Sequence, residues 1–308
     1  MAYVPWTNRS LRMIRAMTNP APRPLIVTGA DAAYFAPVQA LLASVRRTAG
    51  EAFDLVVLDA GLSDSQKAAL KQDFGAEVIL PDFAQGSALG AGDAVERMLN
   101  ARPFFDQRFA DASVIIWLDA DCWVQEAGAL DLLVQAAGRG ALAVVSESSR
   151  YAEVCAEVRW APFGLARFAS PFYLGLKKAG LRKDVLRAVG DKPVMNAGVF
   201  ALAPGAPHWD LWRARLYQVL AKRAPPRASA LALSLMVHAD HPPLELLPET
   251  CNYRGPHWRL SKDGARFVER YIPHAPVGIM HLSGLVGGGL VEVETLSGEK
   301  KSVALRGG

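Results

Sequence analysis

From Pro24 onward, short apolar runs alternate with stretches whose apolar residues recur every three to four positions. Leu25-Ile-Val-Thr28 predicts a first strand. Val38, Leu41, Leu42 and Val45 fall on one face of a helix over residues 37–48. A second strand is expected over 53–58. A helix over 63–74 follows, with Ser63 as its N-cap and Gly75 as its stop. Residues 77–80 predict a third strand. A glycine-rich loop (Gly86, Gly90, Gly92) then leads to a helix over about 93–99. The run Val114-Ile-Ile-Trp-Leu118 is apolar and β-branched, as a buried strand would be. A helix over 130–137 and a strand over 141–145 complete this half. Strands alternating with helices predict an α/β fold with a mainly parallel central sheet flanked by helices and joined by right-handed crossovers. From Val291 the chain alternates apolar and polar residues around Ser297-Gly298, which predicts a small terminal hairpin.

Bulk properties narrow the class. The 308 residues are 51% hydrophobic and 21% charged, ordinary for a soluble enzyme. No apolar run approaches the roughly 20 residues that span a bilayer. The first residues lack the layout of a secretory signal, so a cytoplasmic location is expected. Cys122, Cys155 and Cys251 form neither a disulfide framework nor a zinc pattern. The domain expectation is a basic extension over 1–24, one catalytic domain over 25–285 and a tail or hairpin over 286–308.

The net charge of +4 is unevenly spread. Arg9, Arg12, Arg15 and Arg23 lie in the extension; Arg213, Arg215, Lys222, Arg223 and Arg227 form a second basic stretch. Such patches favour anionic partners, including an acidic membrane surface at the periphery, although solvated helix faces explain most such arginines. No interleaving of basic and aromatic residues points to a nucleic-acid partner.

The chemistry concentrates where the fourth strand runs out, at Leu118-Asp-Ala-Asp121. Open α/β sheets bind ligands beyond the carboxyl ends of their strands. If the strand stayed regular, Asp119 and Asp121 would share a face and grip one hard cation, Mg²⁺ or Mn²⁺. The plainer reading is a turn capped by two carboxylates. No Gly-x-Gly-x-x-Gly follows the first strand, so a dinucleotide fingerprint is absent.

Four segments, in order, resemble the retaining glycosyltransferases of family 8, which share the GT-A fold. They are Thr28-Gly-Ala-Asp31-Ala-Ala-Tyr34, Leu118-Asp-Ala120-Asp121, Met195-Asn196-Ala-Gly198-Val-Phe-Ala-Leu202 and Ile279-Met-His281-Leu-Ser-Gly284. Leu247-Pro-Glu-Thr-Cys-Asn-Tyr253 is similar to the segment that precedes the closing His in that family. The resemblance spans residues 25–285. It implies transfer of a sugar from a nucleotide diphosphate sugar, with UDP as the expected carrier, to an acceptor glycan, lipid or protein with retained anomeric configuration.

It also implies site roles. Asp119, Asp121 and His281 would bind the metal, with Mn²⁺ favoured over Mg²⁺ by the imidazole. Asp119, Asp121 and Asn196 are the expected catalytic residues. Thr28, Asp31 and Tyr34 would face the nucleoside, and Asp93 and Arg97 would recognise donor sugar and phosphate. Ala120, Gly198 and Gly284 would border the donor, Gly198 by allowing close backbone approach. Trp160, Pro162, Phe163 and Tyr173 would serve either as an acceptor platform or as core.

Two departures stand out. The family's Lys after the closing glycine is replaced by Leu285-Val-Gly-Gly288, and its Asp-Gln pair by Ala228-Ser-Ala-Leu-Ala-Leu-Ser234. Arg227, Arg254 and Arg259 are the candidates for the lost positive charge. Two other readings stay open: a nucleotide-sugar binder without turnover, and a phosphohydrolase of the haloacid dehalogenase type with Asp119 as nucleophile. His238 and His241 form a separate possible metal pair.

Overall fold

The structure is a computed structural model, and it describes residues 21–83, 92–148, 156–160, 162–164, 166–254, 258–283 and 290–304. The first half alternates as its periodicity predicts. It runs β1 (Leu25–Ala30), α1 (Phe35–Ala49), β2 (Asp54–Asp59), α2 (Asp64–Phe74), β3 (Glu77–Ile79), α3 (Ala94–Asn100), the short α4 (Phe105–Arg108) and β4 (Ile115–Leu118). Then come β5 (Cys122–Val124), α5 (Ala127–Gly138) and β6 (Leu142–Ser146). The second half holds a hairpin of β7 (Glu157–Trp160) and β8 (Ala166–Ala169), then α6 (Pro171–Lys178), α7 (Lys183–Val189) and β9 (Met195–Leu202). It continues through α8 (His208–Leu220), α9 (Ala228–Asp240), β10 (Leu244–Leu246), β11 (Tyr253–Arg254), β12 (Trp258–Leu260) and β13 (Phe267–Glu269). The last strands are β14 (Ile279–His281), β15 (Leu290–Glu294) and β16 (Lys300–Ala304).

Local signals act where expected. Ser63 Oγ accepts from Gln66 N while the Gln66 side chain accepts from Ser63 N, a full capping box at the start of α2. Gly75 ends that helix in the left-handed region, at φ 67°.

Seven strands form the central sheet in the order β10-β6-β9-β4-β1-β2-β3. All neighbours are parallel except β9, which runs antiparallel to both β4 and β6. Strand alternation divides the core between the two faces. Val27, Ile115 and Trp117 pack with α3, α6, α7, α8 and α9 on one face; Ile26, Ile116 and Leu118 pack with α1, α2 and α5 on the other. A smaller sheet, β11-β14-β5, sits beside the end of β4. The terminal hairpin β15–β16 forms around Ser297-Gly298 and joins β12 through the Leu260–Thr295 bridge. No described helix is long and apolar enough to cross a membrane.

Two members of the second basic stretch, both on α8, are paired within the protein. Arg213 pairs with Asp106 and Asp210, and Arg215 with Asp240. Arg23 pairs with Asp54, while Arg9, Arg12 and Arg15 lie outside the described residues. The Arg213 and Arg215 charges are therefore neutralised within the protein, while Lys222, Arg223 and Arg227 are exposed.

Candidate metal and nucleotide site

Beyond the carboxyl end of β4 the chain does not stay extended. Asp119, Ala120 and Asp121 form a turn closed by Cys122 N donating to Asp119 O (2.9 Å), and β5 starts a different sheet. The two acids thus converge through a turn, not through a regular strand face as alternation alone suggests. Asp119 keeps the side of Trp117, two residues back, and the indole Nε1–H donates to Asp119 Oδ1 at 2.6 Å.

Two further strands bring partners to this turn. β9 pairs with β4 so that Leu118 faces Val199, and Asp119 N donates to Gly198 O at 2.8 Å. β14 pairs antiparallel with β5, setting His281 opposite Cys122. His281 Nε2 then lies 3.7 Å from Asp119 Oδ2 and 3.5 Å from Asp121 Oδ1. The other ring nitrogen, Nδ1, donates to Asn252 Oδ1 at 2.8 Å, which leaves Nε2 facing the carboxylates. Gly198 is needed for this packing. A Cβ there would stand 2.4 Å from His281 Cε1, 2.7 Å from Asp119 Oδ2 and 3.0 Å from Asn196 Oδ1.

The electrostatics follow from this crowding. Burial alone pulls the His281 imidazole toward neutrality, but its hydrogen bond to Asp121 and the charges of both acids outweigh that and raise its pKa. Tyr34 is raised by burial and by Asp121, Asp31 and Asp119. The Cys122 thiol is pushed far up by burial, then by Asp121 and Asp119. Its sulfur falls within 4.8 Å of ligand atoms of Asp121 and His281, so the tightest triad is Asp121, Cys122 and His281. For a hard divalent cation the oxygen of Asp119 is the better third ligand than a protonated thiol. Octahedral ligands about 2.1 Å from such an ion stand about 3 Å apart, near the 3.5 and 3.7 Å that separate His281 Nε2 from the two acids, while Asp119 stands outside the cluster whose ligand atoms all fall within 4.8 Å of one another and would have to close in. Two carboxylates, one imidazole held by an amide behind it, and a glycine that clears the space fit a divalent metal.

This cluster opens into a pocket of about 660 Å³. Asp31, Tyr34, Asp119, Ala120, Asp121, Asn196, Gly198 and His281 all line it. Asp31 also caps the turn after β1, accepting from Tyr34 N at 2.9 Å. Asn196 Oδ1 accepts from Gly198 N.

Other expected residues are placed elsewhere. Thr28 is fully buried and does not line the pocket. Asp93 is the N-cap of α3, and exposed Arg97 turns back to Gly92 O, so neither reaches the pocket. Gly284 and Cys155 lie outside the described residues. His238 bonds the Pro193 carbonyl and is not among the metal-competent groups of the described residues. Trp160 and Phe163 stand 77% and 99% exposed on the β7–β8 hairpin, so they are not core.

Arg102, five residues on from Arg97, is the arginine of this stretch that lines the pocket. It is 3% exposed, bonds the carbonyls of Leu99 and Ala197, and sits 5.5 Å over the Trp117 ring. Burial lowers its pKa to about 10, with Asp119 and Glu96 pulling the other way. Its signal in the sequence is an arginine between Ala101 and the apolar Pro103-Phe-Phe105, where a solvated side chain is out of place. Of the cation candidates, Arg227 and Arg254 line the pocket, whereas Arg259 pairs with Glu294 away from it.

The sheet order, the antiparallel β9 and the acid turn beyond β4 define a GT-A glycosyltransferase fold. Mouse xyloside xylosyltransferase 1, in its apo form, is similar with a TM-score of 0.56 at 15% identity, over 87% of this chain and 99% of that one. The galactosyltransferase LgtC, in complex with donor and acceptor sugar analogs, is similar with a TM-score of 0.50 at 15% identity, over 84% and 87% of the two chains. The chain spans 40% of the length of the bifunctional glycosyltransferase WbbM, with a TM-score of 0.49 at 15% identity. No family model and no curated protein sequence matches the chain.

Proposed function

We propose that this protein is a metal-dependent glycosyltransferase that takes its sugar from a nucleotide diphosphate sugar, with UDP as the carrier. The observation that carries the reading is the meeting of Asp119 and Asp121, from one turn, with His281, from a distant strand, on the wall of one pocket in a GT-A fold.

Cleaving the bond between an anomeric carbon and a diphosphate leaves positive charge on the sugar and negative charge on the leaving group. Asp119, Asp121 and His281 would hold Mn²⁺, or Mg²⁺, and a bound divalent ion offsets charge on diphosphate oxygens. Trp117 fixes Asp119, and Asn252 fixes His281, so the ligands are oriented before the donor arrives. Asp31 and Tyr34 border the nucleoside end. Asn196 faces the donor sugar or its phosphate, and Gly198 keeps space for both. Transfer with retention follows the family resemblance, the acceptor attacking on the face the diphosphate leaves; no protein nucleophile is assigned. The exposed Trp160 and Phe163 are offered to the acceptor, whether glycan, lipid or protein.

The wall formed by α9 carries Ala230 and Leu231. An apolar wall favours a second reading, donor binding without turnover, which the same experiment separates. Thermal unfolding is followed with UDP, GDP, CDP and TDP, each with Mn²⁺ and with EDTA, alongside sugar release from the matching donors. A ligand specific for the native state raises the melting temperature. A UDP shift that needs Mn²⁺ and disappears in Asp121→Ala supports the reading. The same shift without sugar release or transfer supports the binder. A metal-independent shift overturns the metal-dependent reading, and no shift with any nucleotide overturns both.

A further inference from the structure

The proposed donor brings more negative charge than the metal site neutralises. Asp119 and Asp121 cancel a divalent ion, so a diphosphate enters with its own charge uncompensated. Four cationic side chains line the pocket: Arg102, Lys178, Arg227 and Arg254. Arg102 is committed to two carbonyls and to the Trp117 ring. Lys178 lies on α6 and Arg227 immediately precedes α9. Arg254 alone sits on a strand paired with the metal-site strand, and its register partner on β14 is His281 itself. Paired residues on neighbouring strands project to the same face, so the guanidinium leaves the sheet on the side of the imidazole. Its charge is felt there, pushing His281 toward the neutral form.

Arg254 is held, but loosely. Its Nη1 lies 3.0 Å from Glu147 Oε1, with side chains 44% and 33% exposed. Glu147 follows the end of β6 and lines the same pocket. An ion pair this exposed is weak, whereas a guanidinium fork matches two phosphate oxygens at once.

We propose that Arg254 is the diphosphate-binding cation of this site, and that Glu147 parks its side chain until the diphosphate takes Glu147's place. The exchange is a swap of one anionic partner for another, with no bond made or broken. This rests on the nucleotide-diphosphate reading above, and it gives the chain a cation from β11 in place of one after the closing glycine.

The test measures affinities of UDP, UMP and inorganic pyrophosphate by calorimetry at saturating Mn²⁺, for wild type, Arg254→Met, Arg254→Lys and Glu147→Gln. Arg254→Met is expected to weaken UDP and pyrophosphate about 10- to 100-fold, the loss of one charge-assisted contact, and to change UMP far less. Arg254→Lys restores part of that loss. Glu147→Gln removes the competitor and tightens UDP and pyrophosphate, a gain that a merely structural ion pair would not yield. The half-exposed position makes misfolding of Arg254→Met easy to detect by its melting temperature, and Arg254→Lys serves as the second variant. Unchanged UDP and pyrophosphate affinity in Arg254→Met, or weaker binding in Glu147→Gln, overturns the assignment while the function stands. Wild-type protein that binds neither UDP nor pyrophosphate with Mn²⁺ overturns both.

Discussion

Replacing Gly198 by alanine adds one methyl group and removes no ligand, yet it should disable the metal site. Gly198 is in β9, and its φ is not in the left-handed region, so alanine meets no backbone strain. The effect is steric alone. The new Cβ would stand 2.4 Å from His281 Cε1 and 2.7 Å from Asp119 Oδ2, where 3.4 Å begins ordinary contact. The imidazole must therefore retreat by about 1 Å, and Asp119 by somewhat less. Metal–ligand distances tolerate only about 0.2 Å. Disturbing the outer residues that orient ligands typically costs about 10- to 100-fold in metal affinity, and here two ligands are displaced directly, so about 100-fold or more is expected. Overpacking a buried site costs about 1–3 kcal/mol, and each kcal/mol lowers the melting temperature by about 2–4 °C in chains of roughly this size. Free Mn²⁺ followed by electron paramagnetic resonance during titration, without nucleotide, reads the affinity; circular dichroism reads the fold. A folded Gly198→Ala protein binding Mn²⁺ within threefold of wild type would refute the placement of the metal between Asp119 and His281.

Two other outcomes follow from the same structure. Asn252→Leu should weaken Mn²⁺ about 10- to 100-fold by freeing the His281 ring, while Asn252→Asp, which keeps the acceptor, should retain affinity; equal behaviour of the two variants would show that the amide does not orient the ligand. Stability should also fall in mild acid through the buried His208 and the half-buried His238, whose Nε2 atoms lie on the carbonyls of Pro243 and Pro193. Burial lowers both pKa values below 6.5, outweighing the carbonyl contact. The unfolded chain therefore takes up protons first as pH drops. Their contribution is complete above about pH 6.5 and is lost as pH falls through that value toward the folded pKa values. Melting temperatures at pH 7.5 and 5.5 should differ less in a His208→Gln, His238→Gln double variant; an unchanged difference would sink this account.

What the sequence determined by itself is local. Apolar periodicity marked the strands and helices of the first half, because burial of one face acts within each element. Ser63 and Gly75 set the ends of α2 through bonds that span only a few residues. The acid pair at the end of an apolar strand, the Asn196–Gly198 strand and the closing His281 were legible as motifs, because each sits in a short stretch of its own.

Their meeting was decided only by the tertiary structure. His281 reaches the acids through the pairing of β14 with β5, across a separation of more than 150 residues. Gly198 and Asn196 arrive because β9 runs antiparallel beside β4, which strand alternation cannot announce. The same limit hides Arg102, which reaches the pocket held by the Trp117 ring and the Leu99 and Ala197 carbonyls, while Arg97 stays exposed. Arg254 and Cys122 carry no motif at all, and they enter the site by strand register against His281. Register is set by the whole packed sheet, and a shift of one residue would turn each of these side chains to the opposite face.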